Sequence, residues 1–465
     1  MQFASSAALA RVLAKLRANY GERCSINQAT RDQHGHGEAF APSSAPDAVV
    51  WPLATEEVCA IARLCNTEHV PLIAFGAGTS LEGHVNAPFG GVCLDLGRMH
   101  QVLAVHAADG DCVVQPGITR KALNTWLRDT GLYFPIDPGA DASIGGMIST
   151  RASGTTTIQY GSIAHNVMAL EVVLADGRVI RCGTRARKSS AGYDLVRLFT
   201  GAEGTLGIIT EATVRLYSRP ESVGSGVSAF PELRSAVDAV IELIQLGVPL
   251  ARIEFLDAEQ IEACNRYSKL ELPIKPTLFL EFNGSQASVT EQSTRANEVL
   301  QSHGGEPLRW ASDDAGRDVL WKARHNAYFA TRALRPGWEC IIADVCVPVS
   351  ELPECVAAAR QDINAAGLVA TIVGHVGDGN FHVLFLIEPG NAAQRAAMER
   401  VYAAMIDQAL AVHGTCTGEH GIGLGKRAKL VQQFGTDSIA LMQAVKQAWD
   451  PRGILNPGKI FLPAI

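Results

Sequence analysis

The sequence predicts an α+β protein with more than one domain. Three observations carry that expectation. At 465 residues the chain is longer than one ordinary hydrophobic core organises. Short apolar strand-like runs alternate with amphipathic helical stretches along most of it. Turn residues cluster at "SRPESVGSG", residues 218–226, between two such regions. The expected division is residues 1–220, residues 221–440, and a turn-rich apolar segment 441–465 that packs back on the first domain.

Composition narrows the function classes. Hydrophobic residues make up 47% and charged residues 19%, which is globular rather than disordered. A net charge of -7 without a long basic stripe leaves no electrostatic footprint for nucleic acid. No run approaches the ~18 apolar residues of a membrane span. Eleven cysteines, an odd number without a Cys-x-x-Cys pair, argue against a disulfide framework, a zinc finger and an iron–sulfur cluster. Reduced thiols suit a cytoplasmic location, with peripheral attachment to the inner face of the membrane as a variant.

The elements follow in order. "MQFASSAALARVLAKLRANYG" has no acid before Glu22, as a transit peptide would, but Leu9, Val12, Leu13 and Leu16 recur at helical spacing and favour a first helix. Residues 55–70 read as a helix with Thr55 as N-cap. "PLIAF" is a short buried strand that runs into the glycine loop "GAGTSLEGH", residues 76–84. Strands are expected at 91–96, 101–106 and 112–117, and a helix at 119–131. A glycine, serine and threonine region spans 137–161, and "VMALEVVLADGRVIRCG", residues 167–183, is a hairpin turning at Asp176–Gly177. "GTLGIITEATVRLY", residues 204–217, closes the first domain. Beyond it, strands alternate with helices such as "ELRSAVDAVIELIQLG".

Three glycine-rich segments stand out. The loop "FGAGTSLEG" follows a strand, and its backbone N–H groups can cradle a phosphate or simply form a tight turn. It lacks the spacing of a Rossmann fingerprint and the Gly-Lys-Ser/Thr of a P-loop. "DPGADASIGGMISTRASGTTTIQYGS" offers bare backbone to a large flat ligand, and Ile144, Met147 and Ile148 suggest packed rather than floppy chain. "TGAEGTLGIITEA" adds a third segment, so a dinucleotide-sized ligand is expected.

Together these segments resemble the FAD-binding domain of the vanillyl-alcohol-oxidase, or PCMH-type, flavoproteins. The resemblance extends over nearly the whole chain. It implies a two-subdomain PCMH-type domain, followed by the α/β cap of the FAD-linked oxidases. It places Gly76, Gly78, Thr79, Ser80, Leu81 and Gly83 near the phosphates. Pro138, Gly139, Ser143, Gly145, Gly146, Gly154, Thr155, Gly161, Gly204, Gly207, Ile209 and Asn456 would line the rest of FAD. Some members tether the flavin through a histidine in the first loop. That position is Thr79 here and the second tethering cysteine is absent, so FAD is expected to be non-covalent.

Two further motifs carry the chemistry. "GHVGDGNFH" sets His375 and His382 across a strand–loop–strand turn, where imidazoles either ligate a metal or are only hydrogen-bonded. "GTCTGEHGIGLGKR" adds adjacent Glu419 and His420. In an extended segment neighbours point to opposite sides, which suggests one ligand and one base. Both motifs resemble those of the FAD-dependent D-2-hydroxy-acid dehydrogenases, nearest to their cytochrome-linked D-lactate branch. "RKSSAGYDL", "DVCVP" and "NPGK" support the match. The resemblance implies a divalent metal (Zn, Mn or Fe) on His375, His382 and Glu419, with His420 as base. Arg324 in "LWKARHNAY" would hold the substrate carboxylate, with Trp321 shaping the pocket; a helix-surface arginine is the plainer reading. Asn380 orients the metal loop or merely accepts a turn conformation.

The reaction so implied is oxidation of a D-2-hydroxy acid, D-lactate foremost, with hydride transfer to flavin N5. With no haem motif or iron–sulfur cysteines, a separate cytochrome c or quinone would accept the electrons, and a homodimer is allowed. A glycolate oxidase flavin subunit and a D-2-hydroxyglutarate dehydrogenase are the alternatives. The former tends to differ in the first motif, and the latter usually reads Ala-Glu-His-Gly where this chain has "TGEHG".

Overall fold

The computed structural model describes residue 3 and residues 5–38, 43–311 and 313–462. The chain forms two compact units: residues 1–153, 161–219 and 419–465 make the first, and residues 154–160 and 220–418 the second. The chain re-enters the first unit at Glu419, well before the expected 441. Backbone bonds explain this: Ile422 and Gly423 N–H donate to the Glu203 carboxylate and Leu424 N–H to Glu82 O.

The first unit holds two main sheets. One has the order β1-β2-β4-β3, made of β1 (Cys24–Ser25), β2 (Ala48–Val50), β3 (Leu72–Phe75) and β4 (Val92–Asp95). Its last three strands run parallel. The other has the order β5-β6-β10-β8-β9 and is antiparallel throughout. It uses β5 (Val102–His106), β6 (Asp111–Val114), β8 (Val167–Val173), β9 (Val179–Gly183) and β10 (Ile208–Arg215). A two-stranded ribbon pairs β7 (Leu132–Tyr133) with β11 (Tyr217–Ser218). Ile454 N–H is reached from Asp450, while Leu72 N–H donates to Ile454 O at 2.8 Å, so the C-terminal segment extends the first sheet beside β3.

The first helix forms as Ser6–Tyr20, with Ser5 accepting from Ala8 N–H and Val12 and Leu16 fully buried. Thr55 is not an N-cap. The helix Thr55–Glu68 has Ala54 at its cap position, whose methyl offers no acceptor, and the Thr55 hydroxyl, one residue inside the helix, donates to Glu171 Oε1 at 2.9 Å. The 137–161 region contains a helix, Ile144–Thr150, whose adjacent Gly145 and Gly146 hide it from propensity.

The second unit is a seven-stranded antiparallel sheet in the order β15-β12-β14-β13-β17-β18-β16. Its strands are β12 (Ser222–Ala229), β13 (Arg252–Leu256), β14 (Thr277–Gly284), β15 (Arg309–Trp310), β16 (Glu339–Cys346), β17 (Val369–His375) and β18 (Asn380–Ile387). Leu256, Val373 and Leu384 of the sheet bury against Ile261, Ala327 and Ala330 of covering helices. None of the eleven cysteines, all among the described residues, is in a disulfide, and nine of them are buried. Among the described residues no helix is long and apolar enough to cross a membrane.

Candidate active site

In the first unit the chain turns at Gly76 as it leaves β3. A Cβ there would stand 2.3 Å from Ser143 Oγ, so only glycine lets the two segments touch. Ser143 caps Ile144–Thr150 by accepting from Gly146 N–H, and Gly145 packs on Pro116. Ser80 Oγ is buried without a hydrogen-bond partner among the described residues, and a buried orphan hydroxyl calls for a ligand oxygen. Gly139 presents open backbone, Gly78, Gly83, Gly161 and Gly204 take left-handed conformations, and Gly207 and Ile209 are set in the core beside or on β10. Thr79 and Leu81 are half-buried in the loop, as is Pro138 further on. Asn456 Nδ2 donates to His84 O and Glu203 O at 3.0 and 2.7 Å, fixing two backbone segments. Bare backbone and an orphan hydroxyl fit the phosphates of FAD. Gly154 and Thr155 belong to the second unit, where Gly154 N–H donates to Thr157 Oγ1.

The second unit places the histidines by register. On β17 and β18, His375 lies opposite Asn380 and Val373 opposite His382. Cross-strand partners share a face and so do residues two apart, so both imidazoles project from the same face. Their centroids lie 5.4 Å apart with the rings at 84°. The next strands carry an acid beside each. Phe255 pairs Gly374 and Leu256 pairs Val373, which sets Glu254 of β13 beside His375, while Asp344 of β16 is directly opposite His382. Both carboxylates are fully buried.

The two acids bond differently. Glu254 Oε1 accepts from His375 Nδ1 at 2.6 Å, and Oε2 accepts from Arg324 Nε at 2.8 Å with Nη2 at 2.5 Å. Burial alone would raise the Glu254 carboxyl, but Arg324 and His375 hold it below its ordinary range. Asp344 Oδ1 accepts from Asn380 Nδ2 at 2.8 Å and lies 3.5 Å from His382 Nδ1. Its Oδ2 accepts from Thr417 Oγ1 and Gly418 N–H at 2.7 and 2.9 Å. Asn380 therefore does more than fit a turn: it ties the loop to β16, and Gly379 takes the left-handed position.

Of the other expected residues, Arg324 is buried against Glu254 rather than exposed on its helix. Trp321 sits in the core, its Nε1–H donating to Ser225 Oγ with the Arg252 guanidinium 4.9 Å over the ring. Glu419 and His420 directly follow Gly418 in the chain. Their segment is bent rather than extended, and Glu419 Oε1 lies 3.8 Å from His420 Nε2. Glu419 Oε2 accepts from Ser153 Oγ at 2.7 Å. Two imidazoles on one face of the second unit's sheet are donors of a kind that suits zinc, manganese or iron.

Sequence reasoning missed Glu254 altogether and gave Asp344 no role. The available signal was an acid inside an otherwise apolar strand, in "RIEFL" and "ECIIADVC".

Comparison with known proteins agrees with this architecture. Residues 46–183 match an FAD binding domain, and residues 219–460 match the FAD linked oxidases, C-terminal domain. A Danio rerio protein named "Probable D-lactate dehydrogenase, mitochondrial" is 49% identical, covering 98% of this chain and 93% of its own. "D-lactate dehydrogenase [cytochrome], mitochondrial" of Arabidopsis thaliana is 43% identical over 90% of this chain and 74% of its own. The substrate-bound crystal structure of p-cresol methylhydroxylase has the same fold, with a TM-score of 0.81 at 19% identity, covering 98% of this chain and 97% of that one. The chain belongs to the FAD-linked oxidases: it is an FAD-dependent oxidoreductase with a PCMH-type FAD-binding domain and an FAD-oxidase C-terminal domain.

Proposed function

We propose that this protein oxidises a D-2-hydroxy acid, D-lactate foremost, to the 2-oxo acid, using FAD and a divalent cation. The observation that carries the reading is the paired arrangement on the second unit's sheet, where His375 and His382 share a face and each has a buried carboxylate beside it. Two relatives that cover most of the chain and are named D-lactate dehydrogenases support the substrate.

His375, His382 and Glu419 would hold the cation, which supplies Lewis-acid polarisation of the substrate hydroxyl, a contribution of several kcal/mol. FAD, held non-covalently since Thr79 cannot form an imidazole link, supplies the acceptor for the C2 hydride. Arg324 binds the substrate carboxylate. Glu254 takes up its Nε side, leaving the Nη1–Nη2 edge with two N–H groups for a fork-like pair. His420 accepts the hydroxyl proton, so the substrate loses one proton to the imidazole and one hydride to the oxidant. Electrons then leave to a separate acceptor. A cytochrome is favoured by the name of the Arabidopsis relative.

The test is anaerobic bleaching of the flavin absorbance by D-lactate, L-lactate, glycolate and D-2-hydroxyglutarate, before and after chelator. Fast bleaching by D-lactate that chelator abolishes and added metal restores is the expected result. Bleaching by glycolate or the diacid alone would change the substrate, and chelator-insensitive bleaching would remove the metal. His420→Ala should slow bleaching by about 10²–10⁴-fold while flavin content stays normal.

A further inference from the structure

We propose that Glu254 is a positioning residue that sets the tautomer of His375 and at the same time aims Arg324. An ionised carboxylate only accepts hydrogen bonds, so the 2.6 Å contact requires the proton on His375 Nδ1. In the neutral ring Nε2 then carries the lone pair, the form in which imidazole ligates a cation. The second Glu254 oxygen serves the arginine, with Arg324 Nε at 2.8 Å. One side chain thus links a metal-binding imidazole to the guanidinium that receives the substrate carboxylate.

Three features mark this as a built arrangement. Glu254 is fully buried at the centre of the sheet, between β14 and β17, where an acid is costly unless bonded on both oxygens. Its partners come from distant stretches, 70 and 121 residues away in sequence. The strand register sets it beside His375 regardless of side-chain rotamer.

This inference rests on His375 being a cation ligand, and the test separates the two. Chelator-treated protein with its FAD is titrated with Mn²⁺ by calorimetry, for wild type, Glu254→Gln and Glu254→Asp. Glu254→Gln should weaken Mn²⁺ binding by about 10–100-fold, the usual loss when the partner of a ligating histidine is removed. Glu254→Asp keeps the charge and should recover part of that loss. At saturating Mn²⁺, Glu254→Gln should also raise KM for D-lactate more than it lowers kcat, because Arg324 loses its anchor. If Glu254→Gln fails to fold, Glu254→Asp decides: Mn²⁺ affinity and KM both unchanged would overturn the proposal. Wild-type Mn²⁺ affinity in a folded Glu254→Gln would overturn it while leaving the metal reading intact. A wild-type protein that takes up no Mn²⁺, Zn²⁺ or Fe²⁺ would sink the metal reading and this inference with it.

Discussion

The two histidine-bearing strand pairs share a register and differ in what stands behind them. On the β13–β17 side, Glu254 meets a guanidinium and an imidazole, a charge-balanced group of side chains. On the β16–β18 side, Asp344 accepts from a hydroxyl, a backbone N–H and an amide, with His382 at 3.5 Å. Both acids are fully buried. One is ion-paired to a guanidinium, and the other ties Asn380, Thr417 and Gly418 together. The same device, an acid inside an apolar strand, therefore has two uses. Glu254 fixes side chains, while Asp344 fixes the course of the backbone that runs on to Glu419 and His420.

Substitutions can break or sharpen that contrast. The largest effect is expected from Glu254→Ala, which leaves Arg324 buried without its counter-charge and should cost about 3–5 kcal/mol in urea unfolding. A loss no greater than that of Asp344→Ala would remove the distinction. Asp344→Ala strands neutral donors instead, for about 1–3 kcal/mol of stability. It should slow flavin bleaching by ~10²-fold, because the segment leading to His420 loses its anchor. Thr417→Val removes one of those donors and should cost about 0.5–1.5 kcal/mol by the same unfolding assay.

The smallest effect is the pH dependence. The folded Glu254 carboxyl titrates below its ordinary value, so its stabilisation is complete above that value and fades as pH falls through the folded one. The difference in unfolding free energy between wild type and Glu254→Gln should therefore be flat at neutral pH and narrow in acid, below about pH 4. A difference that narrows between pH 6 and 8 would contradict the charge-balanced description.

Much of this was legible from local pattern. The hairpin at Asp176–Gly177 and the strand–loop–strand around His375 and His382 formed as their periodicity required. The packed C-terminal segment also followed from its apolar content, since Ile454 and Leu455 are fully buried. What stayed hidden has long-range causes. Nothing near Glu254 in the sequence announces a partner 121 residues on. Thr55 had the right type for a cap, but the helix begins one residue earlier than that reading, with Ala54 at the cap, and the Thr55 hydroxyl serves Glu171 on a distant strand. The return to the first unit at Glu419 falls inside a glycine motif, with no composition shift to mark it. Paired glycines lowered helix propensity at Ile144–Thr150, where packing prevailed.

The seating of the C-terminal segment has a consequence for how the protein is made. Asn456 N–H donates to Leu72 O, and Ile454 and Leu455 join the same core as Val12 and Leu16. A ribosome delivers residues 12 and 16 hundreds of codons before that core can close. Every strand of the second unit has emerged by residue 387, while the first unit still lacks a piece of its interior. During that interval the flavin-binding part exists as an unfinished, apolar-faced half, which is the stage at which chaperone binding or aggregation competes. The part of the chain synthesised first is the part completed last.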